Sequence, residues 1–366
     1  MNALRLLAIA LLAPLAFAAS AGRVSNKDYD IVTLADGVHG FVWRDPSAQV
    51  IEGNALFIVN ERDVIVVDTG LMPASTLRMI EELRKLTPKP VSMVVNTHWH
   101  DDHVNGNGLY RDAYPGVLVV AHANTRQDQM EQVIAPRQAN LDKGEAGLAR
   151  YDTWLEKGVD DTGKAIDEAR RKRIVEFLAT ARAEIPLLRS VKDSPADITL
   201  DSKLVVERGD RRIEILHLGL GNTRGDLVVF LPKERIVATG DLLVYPIPFM
   251  FGSYYDTWPE TLEKVAALPA DTLFLMHGAP QKDRTYLKQV QALLRDIAAR
   301  SKVAAATSLS AEEAAKQVDL KDWQARFAGD NTIRQREFEG YVVQPAVTRA
   351  IRQARGEPAA FLQNLQ

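Results

Sequence analysis

The sequence predicts an α/β fold that carries a helical insertion and a helical C-terminal extension. Three features point to it. Short apolar runs alternate with an amphipathic stretch between Tyr29 and Ala121. Residues 124–195 are charged, rich in Gln and Arg, and helical in pattern. Strand-like runs then resume from Ile198 to Met276, and the chain reads as helix after Pro280. The expected layout is residues 1–21 as a signal peptide, 29–280 as the α/β domain with its insertion at about 124–195, and 281–366 as the extension.

Taken in order, Ile31–Leu34 and Val38–Val42 are strand candidates around the turn signal Asp36-Gly37. Ala55–Val59 and Val64–Val67 flank the polar turn Asn60–Asp63. Pro73 fits the first turn of a helix reaching about Leu86, with Leu77, Ile80 and Leu83 on one face. Val91–Val95 and Val117–Ala121 read as buried strands. In the insertion, Ile166–Ile185 reads as a helix burying Ile174, Phe177, Leu178 and Ala181, while Arg170–Arg173 forms a solvated face. Further strands are expected at Ile198–Leu200, Leu204–Glu207, Ile213–Leu218, Leu227–Leu231, Ile236–Thr239 and Thr272–Met276, with a helix at Pro259–Ala267. In the extension, Leu287, Val290, Leu293, Leu294 and Ile297 make an apolar stripe, and Ser310–Glu313 reads as a capping box.

Composition narrows the function classes. The 366 residues are 46% hydrophobic and 25% charged, with a formal net charge of −3. That is an ordinary globular balance, with no basic field for nucleic acid. The first residues hold one early cation, Arg5, an apolar run from Leu6 to Phe17 and small-residue cleavage sites. This pattern predicts a cleaved secretory signal peptide and a periplasmic or secreted protein. No other segment is apolar enough to span a membrane. With no cysteine, disulfides, thiolate ligands and a cysteine nucleophile are excluded. Serine catalysis lacks a G-x-S-x-G elbow, and the glycines of 219–226 do not have dinucleotide-binding spacing.

Seven histidines occur, and three fall at His98, His100 and His103 with Asp101 and Asp102 between them. Burying such a cluster without a role would be costly. In extended chain His98 and His100 project to one side, so they can grip one metal together. Asp102 and His103 follow a change of direction and can face a second ion a few Å away. Imidazole and carboxylate donors suit zinc, one ion or two, and also iron or manganese.

His98-Trp-His100-Asp-Asp102-His103 resembles the H-x-H-x-D-H motif of the metallo-β-lactamase fold hydrolases. Asp68-Thr-Gly, Gly240-Asp241 and His277-Gly278 resemble that family's other site segments in order and spacing. The resemblance implies an αββα sandwich with the site at one edge. It implies that His98 and His100 bind a first metal, that Asp102, His103 and His277 bind a second, and that Asp241 bridges them. Asp102 is also assigned a catalytic part, and Asp68 would orient a ligand. The family's third ligand to the first metal comes from a G-H-T/S turn, which here reads Gly221-Asn222-Thr223. Asn222 is therefore a candidate weak oxygen ligand, and His217 a candidate substitute. The implied activity is hydrolysis of an ester, lactone, amide or phosphoester by a metal-bound hydroxide. Two other readings stay open: a mononuclear iron oxidoreductase acting on sulfur compounds on the same fold, and a metal-binding or interaction protein without turnover.

The expected partner is a small-molecule substrate, apolar or aromatic. Tyr245–Trp258 is an aromatic loop directly after Asp241, suited either to line a pocket or to pack on the helical insertion. Trp99 reads as a packing residue, Arg224 as a contact for a substrate anion or a surface residue, and His39 and His122 as structural.

Overall fold

The structure is a computed structural model that describes residues 28–44 and 52–357. The signal-peptide segment 1–21 lies outside the described residues. Two sheets form the centre. The first has seven strands in sequence order: β1 (Tyr29–Ala35), β2 (Val38–Trp43), β3 (Ala55–Val59), β4 (Val64–Val67), β5 (Val91–Val95), β6 (Leu118–His122) and β7 (Ile198–Leu200). Pairing is antiparallel from β1 to β4 and parallel from β4 to β7. The second sheet comprises β8 (Lys203–Arg208), β9 (Arg211–Leu216), β10 (Val228–Leu231), β11 (Ile236–Ala238) and β12 (Thr272–Phe274), in the order β12-β11-β10-β9-β8.

Side-chain alternation builds the layers. Leu56, Ile58, Ile65 and Val67 meet Ile213, Ile215, Val229 and Phe274 of the second sheet in one core between the sheets. Their neighbours Phe57, Val64 and Val66 face outward onto α1 (Pro73–Leu86), where Leu77, Met79, Ile80 and Leu83 cover them. All four residues of β4 are buried because both of its faces are covered. On the far side, Val228, Phe230, Val237 and Leu273 pack against α7 (Trp258–Ala267) and α8 (Thr285–Ala305). The result is an αββα sandwich.

Short elements follow β5: α2 (Asp101–Val104) and α3 (Asn107–Ala113). After β6 come α4 (Ala123–Asp128), a π-helical turn (Gln129–Ile134), α5 (Arg137–Lys157) and α6 (Glu168–Ser190). Helices α5 and α6 share a small core of Leu148, Ile174, Leu178 and Ile185, with Phe177 and Ala181 beside it. Glu184 of α6 is buried, and its carboxylate accepts from the Ala74 amide at 3.4 Å. It thus reaches the N-terminus of α1, whose Met72 N-cap supplies no side-chain acceptor. In the extension, all five residues of the α8 stripe are buried, and the capping box at Ser310 and Glu313 is present. Helices α9 (Ala311–Ala315), α10 (Lys321–Ala328), α11 (Thr332–Phe338) and α12 (Gln344–Ala354) complete it.

Candidate metal centre

Each functional side chain sits where a strand ends. β5 runs into His98 and His100, β11 into Asp241, and the chain just beyond β12 into His277. Sheet closure brings them together. His98 Nε2 and His100 Nδ1 lie 2.9 Å apart, so the two do project to a common point. With Asp241 they form one set of donors, and Asp102, His103 and His277 form a second, each set within 4.8 Å. Asp241 Oδ2 stands 3.6 Å from the Nε2 atoms of His98, His103 and His277. One oxygen is therefore shared between the two sets. Asp102 Oδ2 lies 3.1 Å from His103 Nε2 and 3.0 Å from His277 Nε2. Donors around one zinc ion stand roughly 3.3 Å apart at the usual bond lengths, so the spacing suits a metal.

The outer partners settle the tautomers. Asp68 accepts from the Thr97 amide and hydroxyl, both at 2.7 Å, and its Oδ2 is 2.9 Å from His103 Nδ1. A carboxylate only accepts, so His103 carries its proton on Nδ1 and turns Nε2 inward. Thr97 spends its single hydroxyl proton on Asp68, so its lone pair receives His98 Nδ1–H, 3.0 Å away. Both rings thereby aim Nε2 at the centre. Asp68 holds φ +58, a left-handed conformation that Asp tolerates better than most residues.

Electrostatics fit a cation-binding centre. Burial keeps His98 neutral, with a pKa well below the usual imidazole range, and lowers His100 to about 4. Burial also opposes charge on His103 and His277, but the Asp102 and Asp241 carboxylates outweigh it and raise both. Burial disfavours the charged form of Asp102 and Asp241, yet the facing histidines hold both carboxyls below their ordinary value. Two buried oxygens, Asp241 Oδ1 and Asn222 Oδ1, have no hydrogen-bond partner among the described residues. Buried acceptors are rarely left so, and a cation held between the two sets of donors would satisfy them.

Asn222 lies 1% exposed beside His100, in a cleft also lined by Trp99, Phe251 and Tyr254. Its Nδ2 donates to the Phe249 carbonyl at 2.7 Å. Only an NH₂ group can do that, so the amide orientation is fixed. The turn around it is clamped by α4. Asn124 Nδ2 donates to the Arg224 carbonyl, Thr125 Oγ1 to the Gly225 carbonyl, and the Arg224 guanidinium forks onto buried Asp128. Within the turn, Asp226 accepts from the Thr223 amide and hydroxyl. A Cβ on Gly221 would collide with Leu242, and one on Gly225 with Thr125.

Other candidates fall elsewhere. His217 donates through Nδ1 to the Asp226 carbonyl and packs on His122, with ring centroids 4.3 Å apart. It belongs to neither set of donors. His39 pairs with Thr33 on adjacent strands. Trp99 packs with Val104 and Val133 as well as lining the cleft. The aromatic loop packs against the C-terminal extension through Tyr341 and Gln353, and its Phe251 and Tyr254 line the cleft.

Several positioning residues carry no motif. Asn54 donates to the Leu275 and Gly278 carbonyls, gripping the chain on both sides of His277. Thr69 and Asn96 both donate to the His103 carbonyl, and Asn107 links them. These are buried polar side chains next to strand ends, a signal too common to single them out in sequence.

Comparison with known proteins follows the same lines. The chain is 24% identical over 243 residues to a linear primary-alkylsulfatase of a Pseudomonas strain, covering 64% of this chain and 43% of that protein. It is 37% identical over 79 residues to a hydroxyacylglutathione hydrolase of Gloeobacter violaceus, covering 21% of this chain and 29% of that one. It therefore spans less than half the length of either relative. It is 23% identical over 280 residues to a type 2 metallo-beta-lactamase of Bacteroides fragilis, covering 74% of this chain and 86% of that one. The solved metallo-beta-lactamase of Pontibacter korlensis superposes with a TM-score of 0.50 at 18% identity, over 73% of this chain and 99% of that one. Residues 49–277 match the sequence profile of the metallo-beta-lactamase superfamily, and the chain belongs to that superfamily.

Proposed function

We propose that this protein is a hydrolase that works with one or two divalent ions, zinc by the chemistry of its donors, on an ester, lactone, amide or phosphoester. The observation that carries the reading is the position of Asp241 Oδ2, 3.6 Å from a histidine nitrogen of each donor set. His98 and His100, with Asn222 Oδ1 as a neutral oxygen donor, would hold the first ion, and Asp102, His103 and His277 the second. A divalent ion held there would supply a water acidified towards pKa ~7. Asp102 is 15% exposed, more than the histidines it faces. Its catalytic part would be to orient the attacking water. Burial keeps His98 and His100 unprotonated and ready for a first ion, whereas a second ion would have to displace the protons that the carboxylates favour on His103 and His277. The relatives' names differ in substrate, so they support the type of reaction and no single compound.

The test is metal analysis of protein purified without added metal, alongside esterase and phosphodiesterase assays of His100→Ala. About two zinc ions per chain, with activity lost in the variant, supports the proposal. Protein that binds no divalent ion at micromolar concentration overturns it.

A further inference from the structure

We propose that Glu52, Gly53 and Asn54 are positioning residues for the second donor set, Asp102, His103 and His277, and that they decide whether the centre holds two ions or one. This rests on the metal-binding reading of the centre given above.

Three consecutive residues reach separate parts of that set. Gly53 is buried against α2. A Cβ built on it would stand 2.6 Å from the Asp102 carbonyl oxygen, 3.2 Å from His103 Cε1 and 3.3 Å from His103 Nδ1. The first contact is with backbone, which has no rotamer to swing aside, so an added methyl must move α2 itself. The other two are with the edge of the His103 ring that meets Asp68. Asn54 holds the remaining ligand. Its amide donates to the Met276 carbonyl at 2.6 Å, and its side chain donates to the Leu275 and Gly278 carbonyls at 2.9 Å each. Glu52 anchors the strap at its other end. Its carboxylate accepts from the Leu71 amide at 3.1 Å and the Ser75 hydroxyl at 2.6 Å, at the start of α1 and just beyond Asp68. Trp43 braces the middle, donating from its indole to the Gly53 carbonyl at 3.1 Å and from its amide to the Asn54 side-chain oxygen at 2.9 Å.

The first donor set has other supports. Among the described residues, none of the three hydrogen-bonds to His98, His100, Asn222 or Asp241. His98 and His100 follow β5 directly, and Asn222 sits on the turn clamped by α4. A disturbance of the strap therefore reaches Asp102 and His103 through α2, and His277 through the chain after β12, while the first set keeps its own anchors. Zinc bonds to nitrogen and oxygen span only about 2.0–2.2 Å, so a shift of ~1 Å is enough to lose a ligand.

Loading the full chain with cobalt(II) tests this. Metal analysis counts the ions, competition with a chelator gives their affinities, and the paramagnetically shifted imidazole N–H signals identify the ligands. The wild type is expected to bind about two ions per chain. In Gly53→Ala the second ion should bind about 10- to 100-fold more weakly, with the His103 and His277 signals diminished and those of His98 and His100 kept. Glu52→Ala, a second route should Gly53→Ala fold poorly, should weaken the same ion. Glu52→Gln should restore it, since the amide oxygen can accept from Leu71 while the amide nitrogen donates to the Ser75 hydroxyl. A second ion bound equally well by the wild type and both alanine variants, equal weakening of both ions, or a wild type that takes up one ion or none overturns the proposal. Selective loss of the second ion in a protein that turns over no ester would sink the hydrolase reading alone. Turnover with second-ion affinity unchanged in the variants would sink this inference alone.

Discussion

The amide nitrogen of Asn222 is tied to the backbone carbonyl of Phe249 at 2.7 Å, and its oxygen is buried with no hydrogen-bond partner among the described residues. The bond orients the side chain, while the Phe249 ring rests against His100. One loop thus fixes both a candidate ligand oxygen and the ring beside a neighbouring ligand.

Replacing that oxygen with imidazole should strengthen the first site, because zinc prefers nitrogen there. Asn222→His is expected to raise metal affinity and Asn222→Ala to lower it by about tenfold or more. Competition with a chromophoric chelator measures both. Identical affinity and stoichiometry in all three proteins would remove Asn222 from the ligand set.

Asp68 receives three hydrogen bonds, two from Thr97 and one from His103. An amide cannot accept all three, since one of its ends only donates. Asp68→Asn must give up either the Thr97 amide bond or both the Thr97 hydroxyl and His103 bonds, and should weaken metal binding about 10- to 100-fold. The fold should survive, and the same chelator titration with a circular dichroism control checks this. Unaltered affinity would mean that other contacts hold the ring.

Asp128 is 1% exposed and its charge is met by Arg224. Arg224→Ala leaves a buried carboxylate unpaired and is expected to cost about 3–5 kcal/mol. Adding Asp128→Asn should restore much of that. Urea unfolding of the single and double variants reads the difference. If Arg224 instead served a substrate anion, KM would rise with stability unchanged.

Asp63 joins the two sheets. It accepts from Asn60 in its own turn, from Ser92 of β5 at 2.5 Å and from Arg208 of β8 at 2.7 Å. Burial works against its charge, but these donors outweigh it and lower the carboxyl's pKa. A depressed pKa contributes stability that is present above the unfolded value and lost as pH falls through the folded one. Asp63→Asn should cost about 2 kcal/mol at pH 7. The deficit should begin to shrink below roughly pH 4, where the unfolded chain's carboxyl takes up a proton, and close as pH falls through the lower folded value. Unfolding curves at the two pH values check it, and a deficit that persists unchanged in acid would refute the assignment.

Elements with a clear period were legible in the sequence. The strands Ala55–Val59, Val64–Val67 and Val91–Val95 and the helix Pro73–Leu86 occur with the expected limits. Strands with one face less sharply patterned shift by a residue or two, as with Val117–Ala121, observed at Leu118–His122. The insertion was legible as helix, but its first turns, α4, serve the site by clamping the Asn222 turn. Nothing in the local pattern of Ala123–Asp128 shows this, because its partners lie about 100 residues away.

The sequence by itself determined the types of donor, their order along the chain and their placement after strands, because alternating burial and the H-x-H-x-D-H spacing are local properties. The resemblance already implied that Asp241 bridges the two sets; only the tertiary structure decided that His217 pairs with His122 and that Arg224 is committed to Asp128. It also decided that the aromatic loop leans on the extension. These are meetings between segments as much as 174 residues apart, as with His103 and His277. Their geometry is set by the register of two packed sheets, which no single stretch of sequence contains.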